Sequence, residues 1–321
     1  MHMPDSRFQQ AERGVQPLFS KSSLFSYLAL AVLLLAIHCS LRLMPNRTDG
    51  PERSAAVRFT PLRFDPAGFA PLRLAGAWQV EFADPRFGGL SALAIDRGRL
   101  LAVTDSGTVI WLPRPGSGAI ATVRDLPDGP GNSSFKSNRD SEALARDPQG
   151  RGWWVAFERW NQLWLYDKKF DRPLQRLDFG SRRWPHNKGV EGLASNRRGL
   201  MLFPELGEEW LSVRDGKIRR HKLDNGFGYV ADALQLPNGR LLLVTRAIGV
   251  SGLDKRLVEA VPTASGGLAL KQVAVLPLGA TANVEGMAAE PRTDGGTRLW
   301  LVTDNDFRPR APTLLVALDL P

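Results

Sequence analysis

The chain has 321 residues, with 42 Lys and Arg against 33 Asp and Glu, which gives a formal net charge of +9. Hydrophobic residues make up 43% of the chain, an ordinary share for a folded protein, so a largely disordered chain is excluded. The positive charges are scattered over predicted loops and turns and form no basic block, so nucleic acid is not an expected partner.

The first predicted element is a hydrophobic helix near the N-terminus. Residues 24–41 are nearly all apolar and uncharged, and about 18 such residues can just span a bilayer. We expect a tail over residues 1–23 and an uncleaved signal-anchor over residues 24–43, with the following domain on the extracytoplasmic, periplasmic side of the membrane. The alternative is a cleaved signal peptide and a secreted protein, but the region before the apolar run is long and no small-x-small cleavage site follows it.

The single cysteine of the chain, Cys39, lies in this hydrophobic segment. The remaining chain therefore has no disulfide, no thiolate nucleophile and no thiolate metal ligand. Residues 44–71 contain five prolines among Arg and Gly, which predicts an extended linker. Residues 72–321 are predicted as one domain.

A repeated phrase organises residues 72–321. A polar or acidic residue opens a short apolar strand, a turn follows, and a second apolar strand ends at another charged residue. The phrase occurs at residues 91–105, 142–158, 191–205, 232–246 and 285–304. A period of about 40 to 50 residues built from short strands is typical of a β-propeller.

The predicted fold is therefore all-β, with about five blades of four strands each and one hydrophobic helix before them. The last repeat is one strand short, and an apolar stretch, residues 72–82, is left over before the first. We expect this stretch to pair into the last blade and close the ring, which removes a free sheet edge. Six blades remain possible if one blade is degenerate.

In a propeller, the start of each first strand and the end of each second strand lie at the same face. The predicted starts are Ser91, Glu142, Glu191, Asp232 and Glu285, and the predicted ends are Asp105, Glu158, Glu205, Arg246 and Asp304. We therefore expect carboxylates from distant parts of the chain to converge around one channel mouth. Like charges held together in a poorly solvated site repel, so protons, Arg partners or a bound cation must neutralise them.

An oxygen-only cluster suits a hard cation, and a wide ring of carboxylates suits Ca²⁺ better than Mg²⁺. The expected ligands are Glu142, Glu191, Glu285 and Asp232. The alternative is a purely structural ring, in which each carboxylate caps backbone N–H groups or pairs with Arg.

Basic and amide side chains accompany these acids. Arg139 and Lys188 each lie three residues before a blade-start Glu, Asn187 precedes Lys188, and Arg246 replaces an acid at its strand end. We expect these four residues to bind a small anionic or ester substrate over the metal. The alternative is that the cations only balance the charge of the ring.

These phrases resemble the phytase-like family, which is also described by the esterase-like activity of phytase. The resemblance covers roughly residues 72–320, and it is carried by residues 87–91, 138–145, 187–194, 283–288 and 303–307. It implies an extracytoplasmic propeller and suggests hydrolysis of a phosphate ester or a related ester.

Other hydrolase classes find no support in the sequence. There is no G-x-S-x-G elbow, no zincin or P-loop spacing, and only His186 and His221 among histidines of the predicted domain. Metal-activated water is then the expected nucleophile, with Glu158 or Asp304 taking its proton. The expected function is a membrane-anchored, metal-dependent hydrolase. The alternative is a non-enzymatic propeller that binds a ligand or protein partner at the cell envelope.

Overall fold

The structure, a computed structural model, describes Asn46–Pro321 apart from residues 48, 183, 186, 187, 251, 309 and 310, and only Tyr27 upstream. The predicted tail and signal-anchor, residues 1–43, thus lie outside the described residues except for Tyr27. Within the part of the chain that the structure describes, no helix has the length and apolar character needed to cross a bilayer.

The described domain consists of β-strands joined by turns and three short 3₁₀ helices, Pro66–Phe69, Lys136–Asn138 and Gly180–Arg182. In chain order, the strands are β1 (Arg53–Pro61), β2 (Arg73–Phe82), β3 (Leu90–Asp96), β4 (Arg99–Thr104), β5 (Thr108–Leu112), β6 (Ile120–Asp125), β7 (Ser141–Arg146), β8 (Gly152–Phe157), β9 (Gln162–Asp167), β10 (Pro173–Asp178), β11 (Val190–Asn196), β12 (Gly199–Pro204), β13 (Glu209–Arg214), β14 (Lys217–Asp224), β15 (Tyr229–Gln235), β16 (Leu241–Gly249), β17 (Gly252–Pro262), β18 (Leu268–Val275), β19 (Asn283–Pro291), β20 (Thr297–Asp304) and β21 (Thr313–Leu320). The predicted all-β class is confirmed.

The strands pair into antiparallel groups of four that follow the sequence repeat. Within the described residues, the groups are β3–β6, β7–β10, β11–β14 and β15–β18, and a fifth group joins β19–β21 to β2. Local turn chemistry supports this hairpin pattern. Asp215 and Gly216 both have positive φ, as a two-residue hairpin turn between β13 and β14 requires.

The strand β2 completes the last group from the other end of the domain. It pairs antiparallel with β21, with Trp78 opposite Leu315 and Val80 opposite Thr313. The predicted pairing of the leftover stretch into the last repeat is therefore confirmed. The last group has no open edge on this side, because β1 covers the other edge of β2.

The predicted linker over residues 44–71 is wrong, because β1 lies within it. The strand β1 pairs with β2 on one side and with β6 on the other, so it joins the last group to the first. Its partners are distant in sequence, and its prolines stand at or beyond its ends, where a missing N–H disrupts no central ladder. Composition alone therefore favoured a linker where the structure has an outer strand.

The apolar core lies between neighbouring groups. Each strand group is covered on both faces, and five clusters of buried side chains fill the spaces between consecutive groups, including the space between the fifth and the first. The first strands also touch in cyclic order, β3 with β7, β7 with β11, β11 with β15, β15 with β19, and β19 with β3. These contacts close the described domain into a ring, which is the arrangement of a propeller.

Gly286 marks the closest approach in this inner ring. A Cβ on Gly286 would lie 2.7 Å from Val302 Cγ2 and 2.8 Å from the backbone carbonyl carbon of Ala92 in β3. Since backbone cannot move aside cheaply, we expect Gly286→Ala to lower the free energy of unfolding by about 1–3 kcal/mol. Gly226→Ala is the matched control, because no atom lies within 4 Å of its Cβ position. Urea denaturation measures both. Equal stability of the two variants would contradict the close approach.

Candidate functional site

A β-bulge near the start of the first strand places the same position of each group at the channel. In every group one extra residue interrupts the pairing of the first strand with the second. The bulged residues are Ser91, Glu142, Glu191, Ala231 and Glu285. Bulges re-aim side chains and are common beside active sites. Three of the five positions carry a carboxylate that the bulge turns toward the channel.

The residues after the second strands arrive at the same place. A cavity of about 310 Å³ opens there, and it is lined by Asp105, Glu142, Glu191, Arg246, Leu253, Asn283, Glu285, Asp304 and Asp306. These residues come from strands of the second to fifth groups and from turns of the first and fifth groups. Of the residues predicted to converge around one opening, this lining contains Asp105, Glu142, Glu191, Arg246, Glu285 and Asp304.

Arg246 is the main cation of the cavity wall. Its guanidinium forms an ion pair with Glu285, lies 3.2 Å from Glu205 Oε1 and lies 3.8 Å from Glu191 Oε2. It also donates to Asn283 Oδ1 at 3.0 Å. One partly buried guanidinium therefore offsets part of the charge of three carboxylates. This arrangement matches the charge-balancing alternative for Arg246 better than substrate binding.

Two overlapping groups of carboxylates lie beside Arg246. Oxygens of Asp140, Glu142 and Glu158 lie within 4.8 Å of one another, and so do oxygens of Glu158, Glu191 and Glu205. Glu158 belongs to both groups, so the five acids form one continuous cluster. Glu142 is partly exposed to the cavity, and within the described residues it has no hydrogen bond or ion pair. Of the five acids, it is therefore the one whose negative charge is least offset by neighbouring groups.

Burial and mutual repulsion raise the pKa values of these acids. Burial, followed by Glu191 and Glu285, raises the pKa of Glu142 well above its usual value. Burial also raises the pKa of Glu191 well above its usual value, although Arg246 opposes the rise. The pKa of Glu158 rises to about 7 through burial and the charges of Asp140 and Glu205.

The same causes act on two further acids of the cavity lining. Burial and then Glu285 raise the pKa of Asp304 to about 8. Burial raises the pKa of Asp105 to about 6, although Lys136 lowers it. The Oδ1 atom of Asp105 is buried without a hydrogen-bond partner. The cavity thus holds excess negative charge that the described cations only partly offset.

Asp232 lies outside this cavity, and its predicted role as a metal ligand is wrong. Its Oδ1 accepts the N–H of Ala233 at 2.7 Å, and its Oδ2 accepts the N–H of Met287 at 2.5 Å. The fourth bulge falls on Ala231, one residue earlier than the sequence alignment placed it. A shift of one residue turns a strand side chain to the other side. Asp232 therefore ties β15 to β19 inside the ring.

We expect Asp232→Ala to cost about 2–4 kcal/mol of unfolding free energy, because it leaves two buried N–H groups without an acceptor. We expect no change in cation binding, since Asp232 does not line the cavity. Chemical denaturation with and without calcium measures both effects. A variant of unchanged stability that no longer responds to calcium would contradict this assignment.

Lys188, which the sequence predicted as a substrate-binding residue, lies at the edge of the cluster. Its Nζ is 2.5 Å from Glu205 Oε2 and 4.8 Å above the ring of Tyr229. The side chain is about one-third exposed, so it can face an anion without leaving Glu205. Asn187, its predicted companion in substrate binding, lies outside the described residues.

Arg139 does not face the cavity, so its predicted role in substrate binding is wrong. Its side chain is buried, and Nη1 donates to the carbonyl oxygens of Pro130 at 2.5 Å and Asn138 at 3.3 Å. Burial lowers the pKa of its guanidinium. The side chain packs where a Cβ on Gly107 or Gly129 would collide with it. Arg139 therefore holds a loop in place.

Lys136 takes the position that the sequence assigned to Arg139. It lies in the short 3₁₀ helix before β7, and its Nζ is 2.6 Å from Asp105 Oδ2 and 3.9 Å from Asp140 Oδ1. Asp140 also pairs with Arg159 at 2.9 Å. The sequence-based prediction did not include Lys136 among the site residues, and it gave Asp140 no role in binding a cation. A search for charges throughout the turn before each first strand would have found both.

Comparison with known proteins places this site in a family context. The model of the family described as "Phytase-like: Esterase-like activity of phytase" matches residues 85–307, which include all five carboxylates of the cluster. Comparison with curated proteins gave no match.

Several solved structures are similar to this chain. They include the glutaminyl cyclase of Myxococcus xanthus, with 12% identity and a TM-score of 0.47 over 84% of this chain and 97% of that chain. A streptogramin B lyase has 15% identity and a TM-score of 0.42 over 76% of this chain and 73% of that one. The hydrazine synthase of Kuenenia stuttgartiensis has 11% identity and a TM-score of 0.39, and the similarity covers 70% of this chain and 59% of that chain.

Proposed function

This chain belongs to the phytase-like family, and from that premise we propose that it is a metal-dependent hydrolase of a phosphate ester or a related ester. The observation that carries the proposal is the cluster of five carboxylates, Asp140, Glu142, Glu158, Glu191 and Glu205, beside an open cavity. Such a concentration of acids lowers the stability of the folded state. Clusters of this kind are therefore typical of sites that bind a ligand or carry out chemistry.

The donor set fits a hard divalent cation. Every side-chain donor in the two carboxylate groups is an oxygen, and Glu142 has no cation partner among the described residues. The Oδ1 atom of Asp105 in the cavity lining, which is buried without a hydrogen-bond partner, is a further sign of excess negative charge. We propose that Glu142, Glu158 and Glu191 hold Ca²⁺, with Asp140 and Glu205 as further donors. Glu285, which Arg246 already neutralises, supports the site from beside it.

The chemistry follows from the groups around the cluster. A divalent cation bound there would polarise an ester oxygen and lower the pKa of a water molecule. Asp304 lines the same cavity, and with a pKa of about 8 its ionised form is available to accept a proton at slightly alkaline pH. We propose Asp304 as the proton acceptor, whereas Glu158 belongs to the cation ligands. Lys188 and Lys136, at the two sides of the cluster, would attract the anionic part of the substrate.

Turnover by the purified full chain tests this proposal. The substrates are a phosphomonoester panel and a carboxyl ester panel, each with calcium and with a chelator. We expect calcium-dependent hydrolysis on one panel, and a loss of about 10²-fold or more in kcat for Asp304→Asn. Asp254→Asn, which changes a carboxylate outside the cluster and the cavity lining, is the matched control.

The competing function is a non-enzymatic propeller that binds a ligand or a protein partner through the same cavity. The extensive pairing of Arg246 favours it, since that part of the ring is already neutralised. Absence of turnover on both panels, together with calcium binding that Glu142→Gln removes, would support this second function and overturn the first.

We further propose that each four-stranded group is one blade, which gives a five-bladed propeller closed by β2. The segment over residues 24–43 is proposed as a single-pass membrane anchor with the propeller on the periplasmic side. Protease protection in spheroplasts tests the topology. Cleavage of the domain only after the inner membrane is broken would contradict it.

A further inference from the structure

We propose that the face of the domain that carries the cavity, here called the cavity face, rests on the surface of a lipid bilayer, and that the site acts on an ester carried by a lipid of that membrane. This inference depends on the proposed anchor and on the proposed hydrolysis. It deepens both by naming the surface that docks and the class of substrate.

The place where the chain enters the domain is the first observation. The N–H of Asn46 donates to Ser134 O at 3.0 Å, and Asn46 Oδ1 accepts the N–H of Lys136 at 2.8 Å. Lys136 is the residue whose Nζ pairs with Asp105 in the cavity wall. Asn46 therefore lies beside the cavity, on the same face.

Arg47 fixes this entry point firmly. Its Nε donates to Ser106 O at 2.6 Å, and its Nη2 lies 2.8 Å from Asp125 Oδ1. Both side chains of that ion pair are less than 10% exposed. The proposed anchor ends at residue 43, and three residues span at most about 11 Å. A chain that leaves a membrane at residue 43 must therefore bring the cavity face close to the membrane surface.

The distribution of exposed apolar side chains is the second, independent observation. Among residues 46–321 as described, eight large hydrophobic side chains are exposed. Three of them, Ile120, Leu174 and Val275, belong to the outer strands β6, β10 and β18. The other five stand around the cavity face, and they are Trp160, Leu206, Tyr229, Ile248 and Val250.

The most exposed of these side chains stand on one hairpin. The strands β16 and β17 continue past Arg246 and form a hairpin, in which Ile248 pairs with Leu253 of the cavity wall. Ile248 is 83% exposed and Val250 is fully exposed at the tip. A protruding apolar tip is costly in water and suits insertion between lipid headgroups.

The other members of the rim suit an interface between water and lipid. Trp160 is 41% exposed, and its indole Nε1 donates to Asn138 Oδ1 at 3.2 Å. Tyr229 is 37% exposed and stacks below Lys188 Nζ. Trp and Tyr are the side chains that collect at the headgroup level of membrane proteins. An apolar rim around an acidic, cation-binding cavity would place a lipid headgroup over the carboxylates.

A fluorescent probe on the full chain tests the docking without relying on activity. The Cys39→Ser chain carries one new labelled cysteine, either Val250→Cys at the hairpin tip or Leu174→Cys on the outer strand β10. Each is reconstituted into phosphatidylcholine vesicles that contain nitroxide-labelled phosphatidylcholine. We expect blue-shifted emission and strong quenching at position 250, and neither at position 174. Equal quenching at the two positions would overturn the proposal. It is also the result expected if the cavity face docks to a protein instead of to lipid.

Turnover on two forms of one substrate tests the lipid ester. Short-chain phosphatidic acid is offered in solution, and long-chain phosphatidic acid is offered in the same vesicles. We expect the double variant Ile248→Ser, Val250→Ser to keep its rate on the soluble form and to lose about tenfold on the vesicle form. Equal rates of wild type and variant on vesicles overturn the proposal. If neither form is hydrolysed, that result counts against the proposed function. The fluorescence result then still decides whether the cavity face docks to the membrane.

Discussion

Replacing Arg246 with methionine is expected to lower the free energy of unfolding at pH 8 by about 3–5 kcal/mol, the usual cost of leaving buried charge without its partner. The guanidinium faces Glu191, Glu205 and Glu285, each less than a tenth exposed. Methionine fills similar space without charge, so the loss reports electrostatics rather than a cavity. Urea denaturation in the presence of a chelator measures it.

Two further variants distinguish this electrostatic effect from the effect of removing any arginine side chain. Arg240→Met removes the partly exposed pair with Glu259 and should cost only about 0–1 kcal/mol. The double variant Arg246→Met, Glu285→Gln should recover part of the loss, since one buried carboxylate is then neutral. Arg246→Met should also bind calcium more tightly than wild type. A stability loss equal to that of Arg240→Met would contradict the role of Arg246 as the neutralising cation.

Raising the pH from about 5 to about 8 in the presence of a chelator is expected to destabilise the protein by about 2–4 kcal/mol. The pKa of Glu158 in the folded protein is about 7, and that of Asp304 is about 8, whereas unfolded carboxyls titrate near pH 4. Between these values the folded state binds more protons than the unfolded state. The free energy of unfolding therefore falls as the pH rises through this window.

Calcium should reverse this dependence, because cation and protons compete for the same carboxylates. At pH 8 saturating calcium is expected to restore stability, and at pH 5 it is expected to have little effect. Denaturation curves at both pH values, with chelator and with calcium, make the comparison. In the presence of chelator, Glu158→Gln should weaken the dependence of the free energy of unfolding on pH. A stability that stays level or increases from pH 5 to pH 8 without calcium would contradict the raised pKa values.

The sequence predicted the larger features of the fold because they depend on local patterns. The alternation of short apolar strands with turns such as Asp215–Gly216 marked most hairpins. The repeat placed Asp105, Glu158, Glu205, Arg246 and Asp304 at equivalent strand ends, as the pairing of the second strands shows. These predictions needed only the order of strands and not their exact register.

Predictions that depended on single-residue geometry were less successful. Asp232 was aligned one residue away from the true bulge at Ala231, and a one-residue shift turns a side chain to the other side of a strand. Arg139 and Lys136 both precede β7, and only the fold of the turn decides which of them faces the cavity. The strand β1 was not predicted from the sequence, because its partners β2 and β6 are far away along the chain.

We propose that carboxylates from separate groups of strands form one cation site. Calorimetric titration of the chelator-treated full chain with calcium at pH 8 measures binding to this site. We predict one site with a Kd of roughly 10⁻⁴ M or tighter, at least tenfold weaker binding for Glu142→Gln, and unchanged binding for Glu81→Gln, whose carboxylate pairs with Arg58 on the outer strands. Absence of binding, or equal affinity of Glu142→Gln and wild type, would contradict the account.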